Sequence, residues 1–171
     1  MEFNKLIKVT YLSSPMERLT MGGKNDPLSM IWWREYANKY FGKNGIDVLN
    51  PVLCPSELNP RFIVRNDKTA IRQSDALLVN FTQIGNPGVG GKIVIGAGTI
   101  QEIIYGYEQE KTVVLFDENR PYDDLPLWVR YHSSIICKTQ KEAMDFIISI
   151  NHKKLRDVEF KEFDDSTQEG F

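Results

Sequence analysis

The sequence predicts an α/β protein in which a single parallel sheet lies between two layers of helices. Five short runs are apolar throughout, which is typical of strands that are buried on both faces. These runs alternate with helical segments, an order that favours parallel strands joined by helical crossovers. The chain of 171 residues has room for one such domain. Five strands fit an open, doubly wound sheet of the flavodoxin-like type better than a closed barrel.

The strands are predicted from runs of β-branched and apolar residues bounded by turn-forming residues. The first run breaks into Ser13-Ser14-Pro15, and the second is closed by Asn50-Pro51. In chain order the predicted strands are Leu6–Leu12, Ile46–Leu49, Asp75–Phe81, Thr112–Phe116 and Ser134–Cys137. Ligands bind at the carboxyl ends of the strands in such sheets, so the loops after the first four strands should surround one pocket.

The helices are predicted from 3.6-residue periodicity and from their start and stop residues. The first begins at Asp26-Pro27, where an N-cap precedes a proline, and ends at Gly42 or Asn44-Gly45. Later helices are predicted over Arg61–Gln73, Thr99–Glu110 and Gln140–Asn151. A glycine-rich loop, 83–98, contains a candidate extended segment at 92–95. Residues 1–155 are expected to form the domain, and 156–171 an acidic tail, either disordered or docked on a neighbour.

Composition restricts the class of function. A net charge of −2 gives no support to a nucleic-acid footprint or to a membrane surface patch. There is no signal peptide and no apolar run of membrane-spanning length, so a cytoplasmic location is expected. Cys54 and Cys137 are far apart and are expected to be reduced thiols. Together with the isolated His132 and His152 they form no metal-ligand spacing, and we expect neither a metal nor a cofactor.

The most informative stretch is Gly96-Ala97-Gly98-Thr99-Ile100-Gln101-Glu102. Its glycines allow close approach of a ligand, and the N-terminus of the helix offers unpaired N–H groups. A carboxylate in the first turn of that helix would suit a nucleophile or an anchor for a sugar hydroxyl. The alternative is a capping box, in which Thr99 and Glu102 only bond the backbone at the helix start.

Asp67 is a second candidate because of its position. Residues three and four away on the same helix are Ile63, Val64, Ala70 and Ile71, all apolar, which places Asp67 on the face toward the protein. A buried carboxylate needs a partner or a function. One interpretation is an internal ion pair or a cap for a neighbouring loop. The other is a carboxyl of raised pKa at the edge of the pocket, able to give or take a proton.

Several nearby residues have simpler interpretations. Tyr11 ends the first strand and, taken alone, is a core aromatic, while Asp75 is expected to bond nearby backbone. Trp32 and Trp33 are expected to pack the first helix on the sheet, with Arg34 solvated. The stretch Asn86–Lys92 fails as a phosphate-binding loop, because Asn86 replaces the first glycine and Ile93 the magnesium-binding hydroxyl residue. A nucleoside triphosphatase is therefore excluded.

Five motifs, in this order and at this spacing, resemble the nucleoside 2-deoxyribosyltransferase family over most of residues 6–150. They are Tyr11-Leu12-Ser13-Ser14-Pro15, Trp33-Arg34, Val48-Leu49-Asn50-Pro51, Asn66-Asp67 with Asp75, and Gly98-Thr99-Ile100-Gln101-Glu102-Ile103 with Gly106. The superfamily also contains nucleoside 5′-monophosphate N-glycosidases. The implied partners are small molecules, a deoxynucleoside and a nucleobase.

The resemblance implies catalytic roles for three residues. Glu102 matches the nucleophile that attacks the anomeric carbon and holds the deoxyribose as an ester. Tyr11 matches the tyrosine that orients this glutamate, and Asp67 the aspartate that contacts and helps protonate the departing base. These roles are chemically consistent, since an ionised Glu102 would stabilise an oxocarbenium-like transition state and a desolvated Asp67 would supply the proton.

The resemblance also implies substrate-binding residues. Asp124 stands in Asp124-Leu125-x-x-Trp128, which resembles a motif whose asparagine, often lent by a neighbouring subunit, binds the sugar 5′-hydroxyl. A homo-oligomer, dimer or higher, is therefore expected. Aspartate can accept that hydrogen bond but would repel a 5′-phosphate, which favours nucleosides.

The chain departs from the family at Gly96, because the transferases carry another acidic residue a few positions before the nucleophile and Lys92–Gln101 contains none. The related N-glycosidases also lack this acid and bind phosphate through small hydroxyl residues and backbone. The candidates for such contacts here are Ser13, Ser14, Gly96, Gly98 and Thr99.

The leading hypothesis is therefore an enzyme that acts on the N-glycosidic bond of 2′-deoxynucleosides. Hydrolysis of a nucleoside 5′-monophosphate is the first alternative, and a non-catalytic domain that binds a nucleotide-derived ligand is the second. A flavin-binding flavodoxin is disfavoured, because the connection from the first strand to the first helix is long and ends in Asp26-Pro27.

Overall fold

The structure is a computed structural model that describes residues 6–14, 27–51, 59–82 and 96–152. The strands are β1 (Val9–Ser13), β2 (Asp47–Leu49), β3 (Ala76–Asn80), β4 (Thr112–Phe116) and β5 (Ile135–Cys137). The α-helices are α1 (Pro27–Gly42), α2 (Pro60–Gln73), α3 (Ala97–Glu108), α4 (Leu127–His132) and α5 (Gln140–His152).

The sheet has the strand order β2-β1-β3-β4-β5, and every described pair is parallel. In the β1–β3 pair, Tyr11 lies opposite Leu77 and Ser13 opposite Val79. This is the flavodoxin-like doubly wound order, in which the direction of the chain across the sheet reverses between β1 and β3. The predicted fold class is confirmed, and the expected ligand position is the carboxyl end of β1.

Alternate residues of the strands feed two cores, one on each face of the sheet. One core joins the sheet to α1 and α5, with Leu12, Phe41 and Ile147 among its buried members. The other joins the sheet to α2, α3 and α4, and contains Tyr11 and Ile103. Consecutive residues of β1 therefore face different helices, which decides what each can contact.

Gly106 holds α3 close to β3. A Cβ atom at this position would lie 2.8 Å from Leu77 Cδ2, so the close approach of helix and strand requires a glycine. Because Glu102 is one turn earlier on α3, this packing sets the height of its side chain above the sheet.

Several boundaries differ from the sequence expectation. The segment after β4, predicted as a loop, contains a 3₁₀ turn at Tyr122–Asp124 and the short helix α4. Trp33 packs edge-on against Phe116 as expected, but Trp32 is 66% exposed and does not pack α1 on the sheet. The reason is helical geometry, since adjacent residues point about 100° apart.

Some expectations lie outside the described residues. These are the N-cap at Asp26, the extended segment at 92–95, the state of Cys54 and the acidic tail 156–171 with its boundary at 155. Within the described ranges, no helix combines the length and the apolar character needed to cross a membrane.

Candidate active site

Glu102 lies in the second turn of α3 and reaches the carboxyl end of β1. Its Oε1 accepts a hydrogen bond from the Tyr11 hydroxyl at 2.8 Å, and its Oε2 accepts one from the Ser13 hydroxyl. Tyr11 and Ser13 are two residues apart on the strand and so lie on the same face of the sheet. The carboxylate is thus held at both oxygens by side chains of one strand.

The capping-box interpretation of Glu102 is wrong. The helix begins two residues earlier than predicted, with Gly96 as its N-cap, and no acidic residue lies in its first turn. Thr99 is therefore the third helical residue, and the carboxylate of Glu102 bonds β1. The prediction that Glu102 lies in the first turn is wrong for the same reason, so the helix N-terminus does not hold its charge.

The Glu102 carboxyl is partly buried, and this decides its protonation. Burial raises its pKa to about 7, and the Asp67 carboxylate also raises it. The hydrogen bonds from Ser13 and Tyr11 and the charge of Arg34 act in the opposite direction. At neutral pH the group is therefore close to the midpoint of its titration.

Asp67 lies on α2 and is partly buried, like Glu102. Burial raises the pKa of its carboxyl, while the neighbouring Tyr11 hydroxyl and the charge of Arg34 lower it. The sequence argument expected apolar neighbours facing the protein; Ile71 is buried, whereas Val64 is 54% exposed. Asp67 thus stands at the edge of the buried face, beside the Tyr11 hydroxyl.

Tyr11 is fully buried, and its hydroxyl is bonded to Glu102 and influenced by the charge of Asp67. Burial and the charges of Glu102 and Asp67 raise the pKa of its hydroxyl far above the usual range, so it remains a hydrogen-bond donor. It packs in the core on the α3 side of the sheet and also bonds Glu102. The interpretation of Tyr11 as a core aromatic is therefore correct for its ring, whereas its hydroxyl belongs to the candidate site.

Arg34 is the residue that the sequence analysis misplaced. It was expected to be solvated, yet it is only 2% exposed and carries its charge into the protein. Its Nη1 donates to the Leu12 carbonyl oxygen at 2.8 Å and to Asn50 Oδ1 at 3.1 Å, and its Nη2 donates to Ser14 Oγ at 2.7 Å. The guanidinium also lies over the Trp33 ring, 4.8 Å from its centroid. Ser14 is therefore bonded to Arg34, whereas Ser13 is bonded to Glu102.

The N-terminus of α3 carries three of the predicted substrate-binding residues. Thr99 is 2% exposed, and its hydroxyl has no hydrogen-bond partner in the described part of the chain. Gly96, the N-cap, is buried and makes no side-chain cap, and a Cβ placed on Gly98 would meet no atom of the described residues within 4 Å. Thr99 and Glu102 are three residues apart and share one face of the helix.

Asp124 is exposed, at the end of the 3₁₀ turn. In the ranges that the structure describes, no hydrogen bond joins it to Glu102, Tyr11 or Asp67. Asp75, expected to be structural, accepts hydrogen bonds from the backbone N–H groups of Lys8 and Val9 at 2.9 and 3.1 Å, as expected. The described residues contain no group of three or more metal-ligating side chains.

The arrangement provides the parts of a nucleophilic site. A carboxylate with both oxygens fixed lies beside a second, partly desolvated carboxyl, at the strand ends where doubly wound sheets bind ligands. One group can attack a carbon atom while the other supplies a proton.

Comparison with protein-family models finds no match, and no curated protein matches the sequence. Solved structures do match the fold. A 2-deoxyribosyltransferase from the psychrotolerant bacterium Bacillus psychrosaccharolyticus superposes with a TM-score of 0.57 at 17% identity, covering 80% of this chain and 90% of that chain. The CMP N-glycosidase BcmB of Clostridium botulinum gives 0.50 at 20% identity, covering 82% and 98%. BlsM gives 0.61 at 19% identity, covering 86% and 91%.

The matches extend over most of each protein, and the matched chains include a nucleoside transferase and an N-glycosidase. At this level of identity they establish the architecture. The resemblance stated from the sequence is thus confirmed for the fold: the chain has the 2-deoxyribosyltransferase-like and N-glycosidase-like α/β fold.

Proposed function

We propose that the protein cleaves the N-glycosidic bond of 2′-deoxynucleosides and transfers the deoxyribose to a second nucleobase. The observation that carries this proposal is the Glu102 carboxylate, bonded by Tyr11 and Ser13 at the carboxyl end of β1. Such a group is fixed, partly desolvated and ready to act as a nucleophile.

In the first half of the reaction, a Glu102 oxygen forms a bond to the anomeric carbon while the bond from that carbon to the base nitrogen breaks. The departing base takes the electron pair and receives a proton from Asp67, whose raised pKa favours the protonated form. The product is a deoxyribosyl ester of Glu102, and the transition state has oxocarbenium character that the carboxylate stabilises.

In the second half, a nitrogen of another base attacks the same carbon, and the ester bond breaks to return the carboxylate. Asp67 takes back the proton that the incoming base loses, as microscopic reversibility requires. Water in place of the base would give hydrolysis and free deoxyribose. Tyr11 donates to Glu102 throughout, since its hydroxyl does not ionise at working pH.

The test is to incubate the protein with each deoxynucleoside and a second free base and to follow the products by chromatography. Base exchange identifies a transferase, and free sugar identifies a hydrolase. Glu102→Ala should be inactive, and mass spectrometry should find a sugar adduct on the wild-type peptide that contains Glu102. A wild-type protein that releases no base from any deoxynucleoside or 5′-monophosphate would leave the binding-domain alternative instead.

A second candidate, a nucleoside 5′-monophosphate N-glycosidase, is favoured by the N-terminus of α3. A helix N-terminus with an uncapped first turn attracts anions, and the buried Thr99 hydroxyl offers an unused hydrogen-bonding group beside it. If this candidate is correct, 5′-monophosphates should be better substrates than nucleosides. Thr99→Val should then lower kcat/KM for the monophosphate selectively, by about tenfold.

We further propose a homo-oligomer in which Asp124 of one subunit serves the pocket of another. Asp124 is exposed, as such a contact requires. Mixing inactive Glu102→Gln protein with Asp124→Ala protein should restore activity, because some pockets would then combine an intact Glu102 with an intact Asp124. No gain on mixing, together with a monomer by light scattering, would contradict the proposal.

A further inference from the structure

Arg34 is a buried cation, and within the described ranges the acceptors of its hydrogen bonds are all uncharged. Its bonds go to a carbonyl, an amide and a hydroxyl oxygen, and no described carboxylate accepts a hydrogen bond from it. A guanidinium that is 2% exposed is costly to bury unless other charges compensate it. The charges of Glu102 and Asp67 both favour its charged form.

The three bonds tie together the carboxyl ends of two strands. Leu12 and Ser14 belong to the end of β1, and Asn50 directly follows β2. Ser14 is the immediate neighbour of Ser13, whose hydroxyl holds Glu102 on the other face of the sheet. A displacement of the end of β1 would therefore move the bonds to Arg34 and to Glu102 together.

The charge of Arg34 acts on both carboxyl groups of the site. It lowers the pKa of Glu102 and of Asp67, opposing the effect of burial. Burial lowers the pKa of Arg34 itself to about 10, so it stays charged at neutral pH. The cation thus lies behind the strand and favours ionised carboxylates in front of it.

We propose that Arg34 is a positioning residue of the site: it locks the end of β1 to the end of β2 and supplies the buried positive charge that keeps Glu102 available as a nucleophile. This rests on the proposed function of Glu102. The role proposed for Arg34 acts through the protein, by its bonds to Leu12, Asn50 and Ser14, and needs no contact with substrate.

The experiment is a titration of the Glu102 carboxyl by NMR in protein labelled with ¹³C-glutamate, with the Glu102→Gln protein used to assign the signal. Arg34→Met should raise the midpoint by about one pH unit, the effect expected of removing a nearby opposite charge. Arg34→Lys keeps the charge and should leave the midpoint near the wild-type value, while its lost bonds should lower kcat several-fold. Phe41 is a buried residue of α1 on the same face of the helix as Arg34. Phe41→Leu is therefore the control for destabilisation, and it should change neither the titration midpoint of Glu102 nor kcat.

An unchanged midpoint in folded Arg34→Met would overturn the electrostatic part of the proposal, and full kcat in Arg34→Lys would overturn the positioning part. If Arg34→Met does not fold, an equal midpoint in Arg34→Lys and Arg34→Gln would overturn the electrostatic part in its place. The titration needs no turnover, so a protein without glycosidic activity would refute the proposed function and still test the effect of Arg34 on Glu102.

Discussion

Asp75 and Glu102 contact β1 near its opposite ends, and the two carboxylates are held in different ways. Asp75 meets the start of the strand and accepts hydrogen bonds from two backbone N–H groups, those of Lys8 and Val9. Glu102 meets the end of the strand and accepts from two side-chain hydroxyls, those of Tyr11 and Ser13.

The difference distinguishes a carboxylate that completes the fold from one that we propose to be reactive. Backbone N–H groups at the start of a strand need acceptors in any case, so Asp75 completes the hydrogen bonding of the fold. The carboxylate of Glu102 is instead held by two side-chain hydroxyls that are themselves fully buried, and burial raises the pKa of the Glu102 carboxyl to about 7. A group held in this way is unfavourable for stability and useful for chemistry.

The largest expected effect is on catalysis, and it should fall on one carboxylate only. Glu102→Gln should lower kcat/KM for deoxynucleosides by a factor on the order of 10³ or more, because the amide cannot form the ester. Asp75→Asn keeps an oxygen that can accept from Lys8 and Val9, and should leave kcat unchanged for the folded protein. Steady-state kinetics at matched folded concentration decide the comparison; equal losses in the two variants would contradict it.

The second effect is on stability and has the opposite sign for the two positions. The folded-state pKa of Glu102 is about 7, above its unfolded value of 4.5, so the folded protein binds this proton more tightly. Its contribution to stability is fully present below pH 4.5 and is lost as the pH rises through 7. Glu102→Gln should therefore be more stable than wild type at pH 8, by up to roughly 3 kcal/mol.

This gain should shrink as the pH is lowered toward 5.5, whereas Asp75→Asn should be equal to or less stable than wild type at every pH. Urea unfolding at pH 5.5, 7 and 8 measures the difference. A stability gain for Glu102→Gln that does not depend on pH would show that the buried charge is not its cause.

The fold could be predicted from the sequence more completely than the candidate site, for physical reasons. Apolar runs such as Thr112–Phe116 define buried strands with little ambiguity, and their alternation with helices fixes the parallel sheet. The start of α3 was misjudged because Gly96 and Gly98 have poor helix propensity, yet a first turn tolerates them. That shift of two residues decides whether Glu102 caps the helix or bonds β1.

The burial of Arg34 could be predicted from the same helical periodicity that indicates a buried position for Asp67. Ile31 lies three residues before Arg34, and Ala37 and Phe41 lie three and seven residues after it, so the apolar periodicity of α1 already placed Arg34 on the face toward the sheet. Its partners could not be predicted, because Ser14 and Asn50 come from separate strand ends that only the tertiary fold brings together.

The third effect is the pH dependence of turnover, which should isolate the ionisation of Glu102. In the wild type, the proposed general acid Asp67 should add a second limb to the profile. Asp67→Asn should remove that limb, so that kcat/KM rises about tenfold per pH unit and levels off above a single midpoint. This midpoint should lie at or slightly below pH 7, because the Asp67 charge is one cause of the raised pKa of Glu102. A flat profile from pH 5 to 8 would mean that the reaction does not need ionised Glu102.

The smallest effect concerns the hydroxyl that fixes Glu102, and the chain offers a matched control for it. Tyr11→Phe removes the 2.8 Å bond to Glu102, and Tyr40→Phe removes a similar bond from a tyrosine to the Asp145 carboxylate, between α1 and α5. Because the Tyr11 bond lowers the pKa of Glu102, its loss should raise that pKa and reduce kcat/KM at pH 7 by about tenfold, the equivalent of one charge-assisted hydrogen bond.

Part of the activity of Tyr11→Phe should return at pH 8.5, where the weaker carboxylic acid is ionised again, while Tyr40→Phe should match wild type at both pH values. A loss in Tyr11→Phe that is the same at pH 7 and 8.5 would assign the tyrosine to geometry alone, and would remove its bond from the causes that keep Glu102 ionised.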